Sequence, residues 1–242
     1  MMVEIWQPKS KPARDIEAVV FDAYGTLLDV HSAVARHAVR LGPDAVAFSQ
    51  EWRVKQLEYA WVRTLTGPAH HQDFWACTVD ALRFVCARFG LTDPALAQDL
   101  LDAYRRLSAY PEVPAVLKAL RARGMQTAIL SNGAPMMLVD AAAAAGIATL
   151  LDALLSVEAV GVFKPDRRVY ALAEQRLGLP AAKMMFVSAN PWDTQAAHAA
   201  GFRCIRVNRT KAPDEYGLEA AGVLSIPDLS SLPGLLDRPS HA

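Results

Sequence analysis

Residues 18–30 read AVVFDAYGTLLDV, an apolar run that passes directly into Asp22 and then into Gly25 and Thr26. A short, uninterrupted apolar run that ends in polar residues and glycine is typical of a strand buried in a parallel sheet. Gly25 would let the chain turn sharply after this strand, which leaves the backbone N–H groups of Ala23 and Tyr24 free to face an anion. The stretch therefore predicts a buried first strand whose carboxyl end carries reactive groups.

Similar apolar runs recur along the chain, and helical stretches separate them. Two strong runs end at Ser131-Asn132-Gly133 and at residues 188–193, SANPWD, and two weaker ones lie at residues 154–157 and 204–207. Helices predicted at residues 113–123 and 167–177 each stop at a glycine, a residue that commonly closes a helix. This alternation predicts an α/β domain with a doubly wound, Rossmann-like parallel sheet.

A helical insertion is predicted between the first strand and the second. About a hundred residues separate them, far more than one helical crossover requires. Arg53, Leu57 and Trp61 recur at every fourth position, and residues 74–86 carry an apolar stripe of helical period. We therefore predict a helical cap domain at residues 30–110, inserted into a core domain formed by residues 1–29 and 111–242.

The composition excludes several functional classes. In 242 residues, 25 Lys+Arg balance 25 Asp+Glu, so the chain lacks the basic excess expected of a protein that binds nucleic acid or an anionic membrane. No apolar stretch is long enough to span a membrane, and the first residues lack the apolar core of a signal peptide. The 3 cysteines show no CxxC spacing and are expected to be reduced residues of a cytoplasmic protein.

Polar residues at the strand ends are expected to meet, because an open parallel sheet binds its ligand at the carboxyl ends of its strands. The residues expected at this rim are Asp22, Thr26, Ser131, Asn132, Lys164, Ser188, Asn190 and Asp193. A carboxylate such as Asp22 can act as a nucleophile that forms an ester intermediate. Lys164 would offset the like charges of Asp22 and Asp193 and keep the nucleophile ionised.

The order of these motifs resembles that of a known superfamily. Residues 21–30 resemble the first motif of the haloacid dehalogenase superfamily, and Ser131-Asn132-Gly133, Lys164-Pro165 and residues 188–193 resemble the second, third and fourth. The helical insertion has the position of that superfamily's cap. Four motifs in the right order form a strong signal, whereas any one of them alone would be weak.

Two positions distinguish the reactions of this superfamily. Most members cleave phosphate esters with Mg²⁺, using a second aspartate two residues after the nucleophile and an acidic metal ligand in the fourth motif. This chain has Tyr24 and Ala189 there, so it lacks both a proton donor and a carboxylate that Mg²⁺ prefers. A halide leaving group needs no proton donor. Residues 52–61, WRVKQLEYAW, resemble the cap motif of the L-2-haloacid dehalogenases, whose arginine, here Arg53, receives the halide.

The resemblance implies hydrolysis of short-chain L-2-haloacids to D-2-hydroxy acids through an aspartyl ester, with no metal and no organic cofactor. Asp22 would attack C2 of the substrate, and Arg53 and Asn132 would receive the halide. The groups expected to hold the substrate carboxylate are Ser131 and the amides of Ala23 and Tyr24. The remaining polar positions, which position groups and water for ester hydrolysis, are Thr26, Lys164, Tyr170, Ser188, Asn190 and Asp193. The apolar wall beside the alkyl group would consist of Leu57, Tyr59 and Trp192.

Several alternatives stay open from the sequence. The chain departs from the family at Ala189, Pro191 and Ala196, which bears on turnover rate and substrate size. A metal-dependent phosphatase of the same superfamily and a catalytically silent binding module are the other functions. Asp193 could merely cap a helix predicted at residues 194–200, and Tyr59 and Trp192 could be packing residues. Family members are commonly dimers, so the expected assembly is a homodimer that binds a 2-halocarboxylate and halide.

Overall fold

A parallel sheet forms the centre of the protein in the computed structural model, which describes residues 15–236. Its strands are β1 (Ala18–Phe21), β2 (Gln126–Ser131), β3 (Ala153–Ser156), β4 (Met184–Ser188), β5 (Arg203–Val207) and β6 (Leu224–Ile226). The order across the sheet is β3-β2-β1-β4-β5-β6, and each neighbouring pair is parallel. This is the doubly wound order, so the predicted fold class is confirmed. The short edge strand β6 was not predicted.

Helices cover both faces of the sheet and fill the interval between β1 and β2. They are α1 (Ser32–Ala35), α2 (Ala38–Leu41), α3 (Ala45–Leu65), α4 (Phe74–Arg88), α5 (Pro94–Arg105), α6 (Val113–Ala122), α7 (Pro135–Ala144), α8 (Arg167–Leu177), α9 (Pro191–Ala199) and α10 (Leu232–Leu235). Short 3₁₀ turns lie at Gly42–Asp44, Pro68–His70, Ala148–Leu150, Val157–Ala159, Ala181–Lys183 and Leu229–Ser231. Every residue of β1 and of β4 is buried, as expected of central strands with both faces covered.

Local signals place the boundaries of the helices. Asp93 and Asp166 precede α5 and α8, and each accepts hydrogen bonds from backbone N–H groups in the first turn of its helix. Gly178 closes α8 in the left-handed conformation. Helix α9 begins at Pro191, and its N-cap residue is Asn190. The alternative that Asp193 caps a helix at residues 194–200 is therefore wrong, because Pro191 with its fixed φ starts the helix earlier.

Helices α1 to α5, hereafter the cap, pack around buried aromatic side chains. Trp52 on α3 donates its indole N–H to the Thr78 carbonyl of α4 at 2.9 Å, and its ring lies 5.1 Å from that of Tyr104 on α5. Burying such rings stabilises the packing by several kcal/mol each, about 3–5 kcal/mol when a Phe or Trp is truncated to Ala. The cap therefore has a hydrophobic core of its own, which fixes the side chains that it directs toward the sheet.

The strand order places β1 beside β4 at the point where the chain changes direction across the sheet. The carboxyl ends of β1, β2 and β4 lie next to one another there, which brings Asp22, Ser131 and Ser188 onto one rim. In the described part of the chain, no helix is long and apolar enough to cross a membrane. Cys77, Cys86 and Cys204 are free thiols. The expectation about a signal peptide concerns residues 1–14, which lie outside the described residues.

Candidate active site

Asp22 lies directly after β1, almost fully buried, with its two carboxylate oxygens in different surroundings. Oδ2 accepts hydrogen bonds from Asn190 Nδ2 at 2.7 Å and Thr26 Oγ1 at 3.2 Å, with Ser188 Oγ at 3.5 Å. Oδ1 accepts from Lys164 Nζ at 3.2 Å. Because Asn190 and Thr26 both donate to Oδ2 whereas Oδ1 accepts from Lys164, Oδ1 keeps more of its lone-pair capacity for an incoming atom.

Lys164 is a fully buried cation shared by two carboxylates. Its Nζ lies 3.2 Å from Asp22 Oδ1 and 2.8 Å from Asp193 Oδ2, and 5.0 Å from the centre of the Phe186 ring. Buried charges of this kind are tolerated only when they are paired and hydrogen-bonded. The ammonium group therefore occupies the position between the two acidic groups and offsets their repulsion.

Asp193 anchors the far side of this cluster from the first turn of α9. Tyr170 donates its hydroxyl to Asp193 Oδ1 at 2.6 Å, and Ser188 donates to Oδ2 at 3.1 Å. Burial raises the pKa of Asp193 to about 6, with Lys164 opposing the rise and Asp22 adding to it. Burial and the nearby Asp193 carboxylate also raise the pKa of Tyr170 well above its usual value, so the phenol stays a donor.

Ser131 is the last residue of β2, and Asn132 and Gly133 follow it at the same rim as Asp22. Gly133 donates its backbone N–H to Ser131 Oγ at 3.1 Å, which leaves the hydroxyl proton for another acceptor. The backbone N–H of Lys164 donates to Asn132 Oδ1 at 2.9 Å, so the amide presents its Nδ2 as a donor elsewhere. A Cβ on Gly133 would lie 2.8 Å from Tyr24 Cε2, so only glycine leaves room for that ring.

The turn after β1 supplies backbone donors. Gly25 has a φ of +94°, and the Ala23 carbonyl accepts from the N–H groups of Thr26, Leu27 and Leu28. No backbone acceptor in residues 15–236 takes the N–H of Ala23 or of Tyr24. The turn therefore has the predicted form of a small anion-binding concavity.

Arg53 reaches down from α3 to this turn. Its Nη2 donates to the Tyr24 carbonyl at 3.3 Å, whereas Nη1 is buried without a hydrogen-bond partner among the described residues. The Tyr24 hydroxyl is likewise buried and unpaired within residues 15–236. Unpaired buried donors are costly unless a ligand completes them, which makes this junction between cap and core a candidate position for an anion.

The apolar residues predicted beside the substrate separate into two groups. Leu57 and Trp61 follow Arg53 at successive helical turns, and the Trp61 ring meets Trp192 edge-on with centroids 5.5 Å apart. Tyr59 lies on another side of α3, where it lines a groove with Glu58, Val62, Arg63 and Asp80. Tyr59 therefore lies apart from Trp192. Trp61 contacts Trp192 instead, and the spacing from Arg53 could have identified it.

The acidic residues do not form a site for Mg²⁺. Asp22 and Asp193 share Lys164, and no three His, Cys, Asp or Glu side chains within residues 15–236 are grouped so that they could hold one metal ion. Tyr24 and Ala189 stand at the two positions where the phosphatases carry further carboxylates. Mg²⁺ in proteins is held through carboxylate oxygens, and both buried carboxylates of this site are paired with Lys164.

Comparisons with known proteins point to one group of enzymes. A family model described as haloacid dehalogenase-like hydrolase matches residues 16–201. The (S)-2-haloacid dehalogenase 1 of Pseudomonas sp. (strain CBS-3) is 47% identical over 224 residues, which cover 92% of this chain and 97% of that relative. A crystal structure of a dehalogenase with an intermediate complex is 43% identical, with a TM-score of 0.88 over 92% of this chain and 97% of the other.

A second solved structure bears on the chemistry. It is the L-2-haloacid dehalogenase of Xanthobacter autotrophicus with chloropropionic acid covalently bound. The match has 37% identity and a TM-score of 0.82, and it covers 93% of this chain and 100% of that structure. In that relative, a haloacid-derived group is thus attached to the protein itself.

Proposed function

This chain belongs to the haloacid dehalogenase-like hydrolases, and we propose that it hydrolyses short-chain L-2-haloacids to D-2-hydroxy acids through a covalent aspartyl ester. The observation that carries the proposal is a buried nucleophile close to a buried arginine N–H that has no hydrogen-bond partner among residues 15–236. Asp22 Oδ1 faces Lys164, and Arg53 Nη1 lies unpaired at the junction above the same turn. The relatives that match most of this chain are (S)-2-haloacid dehalogenases, which supports the same reaction.

The first step forms the ester. A lone pair on Asp22 Oδ1 forms the bond to C2 while the carbon–halogen bond breaks, and the bonding pair leaves with the halide. Attack from the face opposite the halide inverts C2. The amides of Ala23 and Tyr24, with the Ser131 hydroxyl, hold the substrate carboxylate in line with the nucleophile. Such alignment can supply about 7–11 kcal/mol of the barrier reduction.

Departure of the halide is assisted by donors from both domains. Arg53 Nη1 comes from the cap and has no hydrogen-bond partner among residues 15–236. Asn132 Nδ2 comes from the core, and the oxygen of the same amide accepts from the Lys164 N–H. Fixed donors aimed at a developing charge in a water-poor site contribute strongly to catalysis, because no reorganisation is needed during the reaction. Trp61, Trp192 and Leu57 form the apolar wall beside the alkyl group.

The second step hydrolyses the ester. Water adds to Cγ of Asp22, the bond from Cγ to the product oxygen breaks, and that oxygen takes one proton from the water. The second proton leaves through Asp193, whose pKa of about 6 suits a group that accepts protons near neutral pH. Thr26 and Asn190 hold Oδ2 and so keep the ester carbonyl oriented, while Ser188, Tyr170 and Lys164 hold Asp193.

Domain limits, assembly and location belong to the same proposal. We place the cap at residues 30–110 and the core at residues 1–29 and 111–242.

We further propose that the protein is a homodimer, which exposed apolar residues on α3 support; they are Val46, Val54, Val62 and Leu65. Light scattering checks this by comparing the mass in solution with the 26.3 kDa of the monomer. A cytoplasmic location is supported by the free thiols.

Halide release tests the proposed reaction. L-2-chloropropionate should release chloride and yield D-lactate, the D enantiomer should release none, and EDTA should change neither rate. p-Nitrophenyl phosphate with Mg²⁺ serves as the control for the phosphatase alternative. Phosphate release that requires Mg²⁺, in the absence of any chloride release, would replace the proposed function by that alternative. Absence of both activities would favour the silent binding module.

The pKa of Asp193 predicts the acid side of the pH profile. Below pH about 6 the buried carboxyl group takes up a proton, so it no longer pairs with Lys164 or accepts a proton from water. We expect kcat to fall tenfold per pH unit below this value, whereas an ordinary aspartate would hold activity constant down to about pH 4. A pH-stat assay from pH 4.5 to 8, with aliquots returned to pH 7.5 to check reversibility, measures this. Constant activity down to pH 4.5 would contradict the assignment.

A further inference from the structure

A chain of buried hydrogen bonds runs through the three long helices of the cap. Thr78 on α4 donates its hydroxyl to the Phe74 carbonyl at 2.8 Å, and Gln56 Nε2 on α3 donates to Thr78 Oγ1 at 2.9 Å. Tyr104 on α5 donates its hydroxyl to Gln56 Oε1 at 3.1 Å. Thr78, Gln56 and Tyr104 are 0%, 1% and 2% exposed, so no bulk water competes for these bonds.

The donor and acceptor of every hydrogen bond in this series follow from the first bond, between the Thr78 hydroxyl and the Phe74 carbonyl. A carbonyl oxygen only accepts, so the single hydroxyl proton of Thr78 is committed to Phe74 and its oxygen accepts from Gln56. The Gln56 amide therefore turns its nitrogen toward Thr78 and its oxygen toward Tyr104. The hydroxyl proton of Tyr104 is then committed to Gln56. What remains on the Tyr104 oxygen is acceptor capacity alone.

Tyr104 contacts two neighbours of Arg53: its hydroxyl donates to Gln56, and its ring stacks on Tyr24, whose carbonyl accepts from Arg53 Nη2. Gln56 lies three residues after Arg53 on α3, so the two side chains project from the same side of the helix. Burial raises the pKa of Tyr104, and the charge and hydrogen bonding of Arg53 oppose that rise. The Tyr104 ring cannot turn away, because it stacks on Tyr24 at 5.8 Å with an angle of 13° and also contacts Trp52.

We propose that Tyr104 is a positioning residue for Arg53, and that its oxygen, oriented by the buried chain, directs one guanidinium N–H toward the departing halide. The inference rests on the proposed function. The Tyr24 carbonyl accepts from Nη2 on the core side, the Tyr104 ring stacks on Tyr24 from the cap side, and Nη1 has no hydrogen-bond partner among residues 15–236. Negative charge on the halide develops only as its bond to carbon breaks, so this positioning acts on the transition state more than on substrate binding.

Tyr104→Phe tests the inference, because phenylalanine keeps the ring stacking and removes the acceptor. We expect kcat for L-2-chloropropionate to fall about tenfold, as for the loss of one hydrogen bond to a charged group, with little change in KM. The loss should be smaller for L-2-bromopropionate, since bromide is the better leaving group and demands less stabilisation. Inhibition by added chloride should weaken by a similar factor, whereas inhibition by D-lactate should not change.

Variants at Thr78, the residue of the hydrogen-bond series farthest from Arg53, distinguish a positioning role from a packing role. Thr78→Val removes the acceptor of Gln56 Nε2 and frees the amide to turn, so it should shift the chloride-to-bromide ratio in the same direction by a smaller factor. Thr78→Ser retains the hydroxyl and should restore the wild-type ratio. Tyr110→Phe is the matched control, because Tyr110 packs under Arg209 at 3.6 Å, outside this chain of bonds. Thermal melting is measured for each variant.

The outcomes decide the inference separately from the proposed function. Suppose that the wild-type enzyme releases halide, and that Tyr104→Phe and Thr78→Val lower the rates for the chloro and bromo substrates equally and leave inhibition by chloride unchanged. This result would overturn the positioning role alone. Unchanged rates in both variants would do the same. If the wild-type enzyme releases no halide from any L-2-haloacid, the proposed function fails and the positioning role fails with it.

Discussion

Asp22→Asn is expected to release no measurable halide from L-2-chloropropionate while the protein stays folded. An amide oxygen has no negative charge to donate to C2 and cannot form the ester directly, so we expect a loss of about 10⁴-fold or more in kcat. Asparagine keeps one acceptor oxygen, which can take the place of Oδ1 beside Lys164 or of Oδ2 beside Thr26 and Asn190, so thermal melting is measured to check that the variant is folded. The measurement is chloride release under single-turnover conditions.

A matched variant and an isotope experiment make this test specific. Asp29→Asn alters a carboxylate in the same loop that only accepts the His31 backbone N–H at 2.9 Å, so it should retain wild-type kcat. Turnover by the wild-type enzyme in H₂¹⁸O should place ¹⁸O in the Asp22 carboxylate, because water adds to Cγ of the ester. Undiminished activity of Asp22→Asn, or ¹⁸O found only in the hydroxy acid after a single turnover, would exclude the ester mechanism.

Lys164→Met is the variant with the second largest expected effect. Methionine fills much of the same space without the charge, which leaves Asp22 and Asp193 as like charges in a buried cleft. Breaking a buried ion pair costs about 3–5 kcal/mol, and one of the two carboxyl groups will take up a proton near neutral pH instead. We expect kcat/KM to fall by about 10³-fold, and the remaining activity to keep rising with pH above 7. Steady-state kinetics from pH 6 to 9 measure both effects.

An exposed lysine provides the comparison for this variant. Lys183 pairs with Glu17 at the surface, where both side chains are more than a third exposed, and surface pairs contribute about 1 kcal/mol or less. Lys183→Met should therefore change neither kcat/KM nor the pH profile. A Lys164→Met enzyme with the wild-type pH profile would show that this lysine does not set the ionisation of the two carboxylates.

The convergence of the reactive residues could be predicted because it depends on backbone topology. Asp22, Ser131 and Ser188 each follow an apolar run, and parallel strands put their carboxyl ends on one rim whatever the lengths of the connections. Helical period likewise places Arg53 and Leu57 on one side of α3. The same period separates Tyr59 from them, and its assignment to the apolar wall came from the family resemblance and not from spacing.

Contacts between distant elements could not be predicted from the sequence. The meeting of Trp61 with Trp192 depends on how the cap sits on the core, and no local pattern encodes that angle. The same holds for the bonds from Thr64 Oγ1 to the Phe163 N–H at 3.0 Å and between His71 and Glu158 at 3.0 Å. Strand β6 was missed because three residues, one of them an exposed leucine, carry too short a pattern.

The hydrogen bonds of Asn132 and Gly133 affect how readily this asparagine deamidates. An asparagine followed by glycine is chemically labile in open loops, because the glycine nitrogen attacks the side-chain amide and the ring that forms opens to aspartate. Here the Gly133 N–H is engaged by Ser131 Oγ, and Asn132 Oδ1 is fixed by the Lys164 N–H. The folded loop thus holds the attacking nitrogen and its target in place. Spontaneous deamidation would put a negative charge at the proposed halide position, and we expect it only in molecules whose loop has opened.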